Sequence, residues 1–114
     1  MIALWKSSSP SERVVGETLK RSISRDEKDA EVLNGLAWEC AINDIFLTDA
    51  LKAAEKAVEL EPQNANIIDT LAEVHFRMGH VDKAIETESR AVALAPNRQD
   101  LMDSLKRYKS KKHP

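Results

Sequence analysis

The chain repeats itself at a fixed interval, and this periodicity limits the folds open to it more than any other property of the sequence. Residues 57–74 align with residues 91–108, so that Pro62 matches Pro96 at a spacing of 34. The preceding unit matches at a spacing of 35, which places one extra residue in the stretch 43–48. Turns accept insertions at little cost, so this stretch is expected to be a turn.

Each period contains two apolar runs with the spacing of an α-helix. Pro62 and Pro96 are expected to end the preceding helices, because the residue before a proline avoids the helical region. Asn64 and Asn97 are expected to cap the helices after the prolines, Asp82 to mark a helix start, and Gly79 to close a helix end. The sequence therefore predicts an all-α protein.

These residues resemble the pattern of the tetratricopeptide repeat, a helix–turn–helix unit whose length equals the period seen here. The first full unit supplies Leu33, Leu36, Ala37, Cys40, Ala50, Ala54, Ala57 and Pro62. The second full unit supplies Ile68, Leu71, Ala72, His75, Ala84, Glu88, Ala91 and Pro96. The resemblance implies a right-handed superhelical array of antiparallel helix pairs, an α-solenoid with about six helices. The sequence departs from the family at its aromatic positions, which hold Leu33, Cys40, Ala54, His75 and Glu88.

The repeat boundaries also divide the chain. We expect a flexible N-terminal segment at 1–10 and a repeat domain at 11–112, made of a half repeat 11–29, full repeats 30–64 and 65–98, and a capping helix 99–110. The half repeat lacks a first helix, which leaves Val14, Val15 and Leu19 without their usual neighbour. Residues 1–5, a second copy of the chain, or an upstream domain of a longer protein could cover this face.

The amino-acid composition and the residue spacing indicate no catalytic site. A single cysteine, Cys40, excludes an internal disulfide and a cysteine-based zinc cluster, and its core-like position favours a buried apolar role. The three histidines lack metal-ligand spacing, and no glycine-rich phosphate loop is present. We therefore expect no enzyme activity, no catalytic or metal-binding residue and no cofactor. The net charge of −2 and the lack of a long apolar run predict a cytoplasmic protein without a nucleic-acid or membrane partner.

In the resembled family, the first helix of each unit lines a concave groove that holds a peptide. The positions expected to face this groove are Asn34, Trp38, Ile42, Asn66, Asp69, Glu73, Arg77, Asp100, Asp103 and Arg107. Their acidic members favour a cationic or amphipathic partner segment, with Trp38 as an apolar anchor. Some family members hold a partner's terminal carboxylate with a Lys/Asn/Arg clamp. Trp38, Asp69 and Thr70 stand at or beside clamp positions here, so we do not expect that mode.

Several of these residues have a second interpretation. Trp38 could instead pack as core against Val15 and Leu19, and Asp69 and Glu73 could simply be solvated. Glu88 could pair with Lys106 or point outward. Phe46 and Leu47 could cover the edge of the core or form an exposed patch. The basic end could either oppose the helix dipole or bind an anionic partner; it consists of Lys106, Arg107, Lys109, Lys111 and Lys112.

The leading hypothesis is a non-enzymatic interaction module that holds a partner peptide or helix in its groove. Two alternatives remain at this point: self-association through the N-terminal helix as a homodimer, and service as an accessory tail of a larger protein.

Overall fold

Six helices make up residues 10–112, which are the part of the chain that the computed structural model describes. They are α1 Pro10–Ser24, α2 Ala30–Ile42, α3 Leu47–Leu60, α4 Ala65–Arg77, α5 Val81–Leu94 and α6 Gln99–Lys112. No strand occurs within this range. The all-α prediction is confirmed. The segment predicted to be flexible, residues 1–10, lies almost entirely outside the described residues.

Local capping chemistry fixes where the helices begin and end. Asn64 caps α4 as predicted, because its side-chain oxygen accepts the backbone N–H groups of Asn66 and Ile67 at 3.0 and 3.3 Å. Gly79 closes α4 with a φ of 86°, a left-handed conformation that glycine adopts without strain. Asp82 is not the start signal of α5, which begins at Val81 after a residue without a side-chain cap.

The extra residue of the first unit lies in the turn between α2 and α3, as the spacing predicted. Asp44 and Phe46 in this turn have φ angles of 54° and 49°, in the left-handed region that few residues other than glycine adopt. The Phe46 ring lies so close to Gly16 of α1 that a methyl group added at Gly16 would meet it at 2.2 Å. Phe46 thus covers the edge of the core, although the residue is still 37 % exposed.

Helices pack in the order of the chain and also one step further along the stack. The pair α2/α3 and the pair α4/α5 each pack closely, α3 packs on α4, and α2 also packs directly on α4. At the ends, α1 packs against α2 and α3, and α6 packs against α5. Each unit therefore buries its apolar face against its neighbour, which is how repeat proteins share one continuous core.

Small residues permit this close approach. The repeat alanines at the helix crossings are fully buried: Ala37, Ala50, Ala57, Ala72, Ala84 and Ala91. A larger side chain at these sites would push two helices apart, at a cost of about 1–3 kcal/mol. Cys40 is also buried, and burial, helped by the charges of Asp49 and Glu39, raises the pKa of its thiol to about 11. Such a thiol is protonated and unreactive at neutral pH.

The capping helix contributes Leu101 and Tyr108 to the core. Leu101 and Tyr108 are 1 % and 0 % exposed, whereas Met102 and Leu105 are only half-buried. The Tyr108 ring stacks on Phe76 of α4 with 4.6 Å between ring centroids. The aromatic residue of the basic tail is therefore a core residue, and it attaches α6 to α4.

Candidate functional site

The side chains predicted to line a groove lie on α2, α4 and α6, the first helices of successive units. We call this surface the first-helix face. It comprises Asn34, Trp38 and Ile42 of α2, Asn66, Asp69, Glu73 and Arg77 of α4, and Asp100, Asp103 and Arg107 of α6. The structure places these ten residues in four environments: an exposed apolar strip, a buried charge network, a cluster of carboxyl groups and a polar rim.

The apolar strip lies on α2. Trp38 and Ile42 are 37 % and 41 % exposed, one helical turn apart. The alternative in which Trp38 is a core residue against Val15 and Leu19 is therefore wrong. Asn34, one turn earlier, is half-buried, and its Oδ1 atom has no hydrogen-bond partner within the described residues. This strip offers a contact surface for an apolar side chain.

Glu73 of α4 is the centre of the charge network. The residue is 3 % exposed, so it neither faces open solvent nor offers a free charge to a cationic partner. One carboxylate oxygen accepts Arg77 Nε at 2.7 Å, and the other accepts Arg107 Nη2 at 2.6 Å and the Tyr108 hydroxyl at 2.5 Å. Although burial alone would raise it, these bonds from Tyr108, Arg77 and Arg107 hold the pKa of Glu73 below its usual value. The interpretations of Glu73 as an open groove carboxylate and as a solvated residue are both corrected.

The same network joins the first helices α4 and α6 to the turn after α2. Arg77 also reaches Asp44 in the turn after α2, with 3.4 Å between Nη1 and Oδ2. Arg107 lies over the rings of Phe76 and Tyr108, 5.1 and 5.0 Å from their centroids. The charges of Arg77 and Arg107 are thus committed to neighbours within the chain, although the Arg107 side chain remains 45 % exposed.

Repeat spacing could have revealed part of this network. Glu73 and Arg107 are one full repeat apart in sequence, and they are in direct contact. At this position, side chains one repeat apart therefore meet between α4 and α6. The contribution of Tyr108 had no such signal, because its equivalent in the unit before it is Val74, which is neither aromatic nor polar.

Carboxyl groups form the third environment, between α4, α5 and α6. Glu88 of α5 is fully buried, and neither of its oxygens accepts a hydrogen bond from a donor in the described part of the chain. It lies within hydrogen-bonding reach of the carboxyl group of Asp69, which is itself half-buried. Burial first, and then the charge of Asp69, raises the pKa of Glu88 to about 9. Glu88 is therefore protonated at neutral pH and can donate its proton to Asp69.

This placement corrects both interpretations of Glu88, since it neither pairs with Lys106, which is exposed, nor points outward. Burial also raises the pKa of Asp69, with help from the charges of Glu73 and Asp100. The pair holds two carboxyl groups and one shared proton, so that it carries a single negative charge at pH 7.

The remaining polar positions lie at the rim. Asp100 accepts two hydrogen bonds from Arg98, at 2.9 and 2.8 Å, and this guanidinium lowers the pKa of Asp100. Asp103 is exposed and accepts only the side-chain amide of Gln99, at 2.9 Å. Asn66 is exposed as well. Asp103 is thus an acidic side chain of this face with no ion pair in the described part of the chain.

Two histidines come together without forming a metal site. His75 is 8 % exposed and its ring lies 5.7 Å from that of His80. Burial, with the nearby charges of His80 and Lys83, lowers the pKa of His75, so it is neutral at pH 7. Residues 10–112 hold no group of three or more metal-ligating side chains.

Comparison with known proteins decides the family. The family model for the tetratricopeptide repeat matches residues 47–107. The chain belongs to the tetratricopeptide repeat family. Membership of this family is consistent with a role in protein–protein interaction, and it agrees with the paired helices and buried alanines described above.

Curated relatives carry this tetratricopeptide repeat domain within much longer chains. Hsp70-Hsp90 organizing protein 1 of Glycine max and the Hsp70-Hsp90 organizing protein of Triticum aestivum are each 34 % identical to it over 86 residues. The alignment covers 75 % of this chain but only 15 % of either relative. The domain thus corresponds to a small part of these proteins.

Solved structures show the same arrangement of helices. MamA MSR-1 C2 superposes with a TM-score of 0.71 and 23 % identity, covering 85 % of this chain and 55 % of that one. The second tetratricopeptide repeat domain of human RPAP3, solved by NMR in complex with an HSP70 peptide, also has a TM-score of 0.71, with 18 % identity, covering 86 % of this chain and 80 % of that one. The expected α-solenoid fold is confirmed. Among the described residues, none of the helices combines the length and apolarity needed to cross a membrane.

Proposed function

We propose that this domain binds a peptide or helix of a partner protein on its first-helix face, with Trp38 and Ile42 as the apolar contact. The observation that carries the proposal is the exposure of these two side chains, 37 % and 41 %, on a helix whose other apolar residues are mostly inside. Large apolar groups that remain in water on a polar surface favour association, because covering them releases about 25 cal/mol per Å².

The surroundings of this strip favour an amphipathic partner segment. Glu73, Arg77 and Arg107 are hydrogen-bonded to one another, so their charges are largely neutralised within the chain. They border the strip as polar groups and offer little free charge to a partner. Asp69 and Asp103 are the acidic groups of this face that no Lys or Arg pairs with among the described residues. The RPAP3 domain, a structural neighbour, was solved with a bound HSP70 peptide, which supports peptide binding by this fold. An affinity in the micromolar range, about −8 kcal/mol, is expected for such a site.

The test is selection of binders from a random library of twelve-residue peptides displayed on phage, followed by measurement of their affinities by calorimetry. Trp38→Ala and Ile42→Ala should each weaken the selected peptides by about fivefold or more. Leu94→Ala is the matched control, because Leu94 is 43 % exposed on α5 and lies away from the first-helix face. Equal losses for Trp38→Ala and Leu94→Ala, or no loss at either, would refute the proposed face.

A second candidate function is self-association through α1. Val14 is 61 % exposed on α1 and Val32 is 40 % exposed on the adjacent α2, which leaves apolar surface at this end of the stack. A homodimer through this surface should raise the mass found by light scattering as concentration increases. Val14→Asp should abolish that increase, and a mass that stays monomeric at all concentrations would eliminate this candidate.

A further inference from the structure

The second full unit buries an acid where the first unit buries a methyl group. Glu88 stands one full repeat after Ala54, and both residues are fully buried at equivalent positions of α5 and α3. Placing a carboxyl group at this depth costs free energy that alanine avoids. Neither Glu88 oxygen accepts a hydrogen bond within the described residues, so the cost is offset only by the hydrogen bond that the protonated carboxyl group can donate to Asp69.

Asp103 extends this acidic cluster toward solvent. It follows Asp69 by one full repeat, as Arg107 follows Glu73, and the latter two are 2.6 Å apart. From the same register we infer that Asp103 lies near Asp69, one helical turn before the Glu73–Arg107 contact. The cluster therefore has a buried member, a half-buried member and an exposed member, each on a different helix.

We propose that Asp69, Glu88 and Asp103 form a seat for one basic side chain of the bound segment, and that the seat prefers arginine. This inference rests on the proposed function of the first-helix face, and it names the chemistry of the partner. A guanidinium is planar and carries five N–H donors, so it can donate to more than one carboxylate at once. Its charge would also favour ionisation of the buried Glu88 carboxyl group behind them.

The charged groups around Glu88 favour the binding of one more cation at this place. Asp69 and Glu73 face it from α4, and Asp100 and the Tyr108 hydroxyl face it from α6. The cations of the neighbourhood are already engaged: Arg98 binds Asp100, while Arg77 and Arg107 bind Glu73. An arriving guanidinium would therefore meet net negative charge and no free competitor.

Binding should also release a proton. In the free protein Glu88 holds the proton that the acid pair shares, because its pKa is raised to about 9 by burial and by Asp69. A cation beside the pair favours its fully ionised form, and the proton then passes from Glu88 to solvent. Affinity for an arginine peptide should consequently rise between pH 6 and pH 9, with release of up to one proton per peptide.

Geometry gives the spacing between the two anchor residues of the segment. Trp38 lies on α2 and the seat lies on α4 and α6, and packed helices are about 8–10 Å apart. The seat is therefore one to two helix spacings from Trp38, about 10–20 Å. An extended chain advances about 3.3 Å per residue, so the basic residue should follow or precede the apolar one by three to six positions.

The probe is a set of blocked ten-residue peptides of alanine and glutamine that carry one leucine and one arginine, separated by one to eight positions. Citrulline replaces arginine in the matched neutral set. Binding is followed by the fluorescence of Trp38 in the Trp5→Phe protein, which leaves a single tryptophan. We expect the best arginine peptide to bind about tenfold more tightly than its citrulline partner, with the optimum at three to six positions.

Three variants assign the effect to the seat. Asp69→Asn and Asp103→Asn should each remove most of the arginine preference, and Glu88→Gln should abolish proton release measured by calorimetry in two buffers of different ionisation enthalpy. Glu86→Gln, an exposed neighbour on α5, is the control that should change nothing. Melting curves establish that each variant is folded before it is compared.

The possible outcomes distinguish a failure of the proposed arginine seat from a failure of the proposed binding function of the first-helix face. Equal binding of arginine and citrulline peptides, or an arginine preference that survives Asp69→Asn, overturns the seat while the proposed function stands. Binding that is unaffected by both the basic residue and Trp38→Ala overturns the seat and the proposed function together. An optimum at one or two positions also overturns it, because such a segment cannot contact both sites.

Discussion

At the scale of single residues, Glu88 is the most unusual group in the domain, because it is fully buried and remains protonated at neutral pH. In the unfolded chain it ionises at its ordinary pKa, near 4.5. Between about pH 4.5 and pH 9 the native state therefore binds more protons than the unfolded state. By linkage, Glu88 lowers the free energy of unfolding progressively as pH rises through that window.

Glu88→Gln should remove this penalty, because an amide is neutral at every pH and can still donate to Asp69. At pH 8 we expect the variant to be about 1–3 kcal/mol more stable than the parent, with little difference at pH 4. Urea denaturation across this pH range measures the effect. Glu86→Gln on the exposed face of α5 is the control, and a variant that is less stable than the parent at pH 8 would contradict the buried, protonated assignment.

Glu88 also shows where inference from sequence ends. The repeat pattern identified its position as one that normally packs, yet a glutamate there suggested a surface pair with Lys106 or an outward side chain. Whether such a residue is buried depends on a partner that can share its proton, and Asp69 is brought to it by tertiary packing. Nothing local to residues 84–92 reports that partner.

At the scale of helices and turns, most boundaries followed from short-range chemistry. The period, the prolines and the Asn64 cap specify where α3, α4 and α5 lie along the chain. The start of α3 at Leu47 was less evident, because Phe46 precedes it in a left-handed conformation that sequence patterns rarely indicate. That conformation is accompanied by the contact of the Phe46 ring with Gly16, which lies two helices earlier on α1.

Two glycine-to-alanine changes should separate this contact from helix propensity. Gly35→Ala, on α2 with open space around it, should stabilise the domain by about 0.5–1 kcal/mol. Gly16→Ala brings the same propensity gain on α1, but its methyl group displaces the Phe46 ring, so we expect it to be about 1–2 kcal/mol less favourable than Gly35→Ala. Thermal or urea denaturation measures both. Adding Phe46→Ala should remove the difference, and equal effects without it would show that the ring moves freely.

One of the contacts that attach α6 to α4 is a buried hydrogen bond. Tyr108→Phe removes the hydroxyl that donates to Glu73 at 2.5 Å while it keeps the ring on Phe76. Because the acceptor is ionised and buried, we expect a loss of about 2 kcal/mol in the free energy of unfolding. In the Glu73→Gln background the loss should fall below about 1 kcal/mol, and a double-mutant cycle measures this coupling. Lys106→Gln is the surface control; additive effects of Tyr108→Phe and Glu73→Gln would contradict the bond.

At the scale of the whole molecule, the charges of the first-helix face are distributed unevenly. The first-helix face carries Asp69, Asp100 and Asp103 near the N-terminal ends of α4 and α6. Its two arginines, Arg77 and Arg107, are bound to Glu73. A partner with a negatively charged end would be repelled by the three aspartates, and the two arginines would offer it no free positive charge.

The domain should therefore bind the HSP70 peptide SGPTIEEVD, named with the RPAP3 domain, at least about tenfold more weakly than that domain does. The physical reason is like-charge repulsion, which is worth about 1 kcal/mol for each close pair at the surface. Calorimetry with both proteins in the same low-salt buffer measures the difference. Comparable affinities would show that Arg77 or Arg107 leaves Glu73 to receive the peptide carboxylates.

Ala54 and Glu88 occupy the same place in two copies of one structural unit, and the molecule thus contains its own reference for what that place requires. Alanine at that place avoids the cost of burying a carboxyl group. On the proposal made above, the first copy serves as scaffold alone, while the second gives up folding stability for recognition. Exchanging these two side chains would move that burden from one copy to the other.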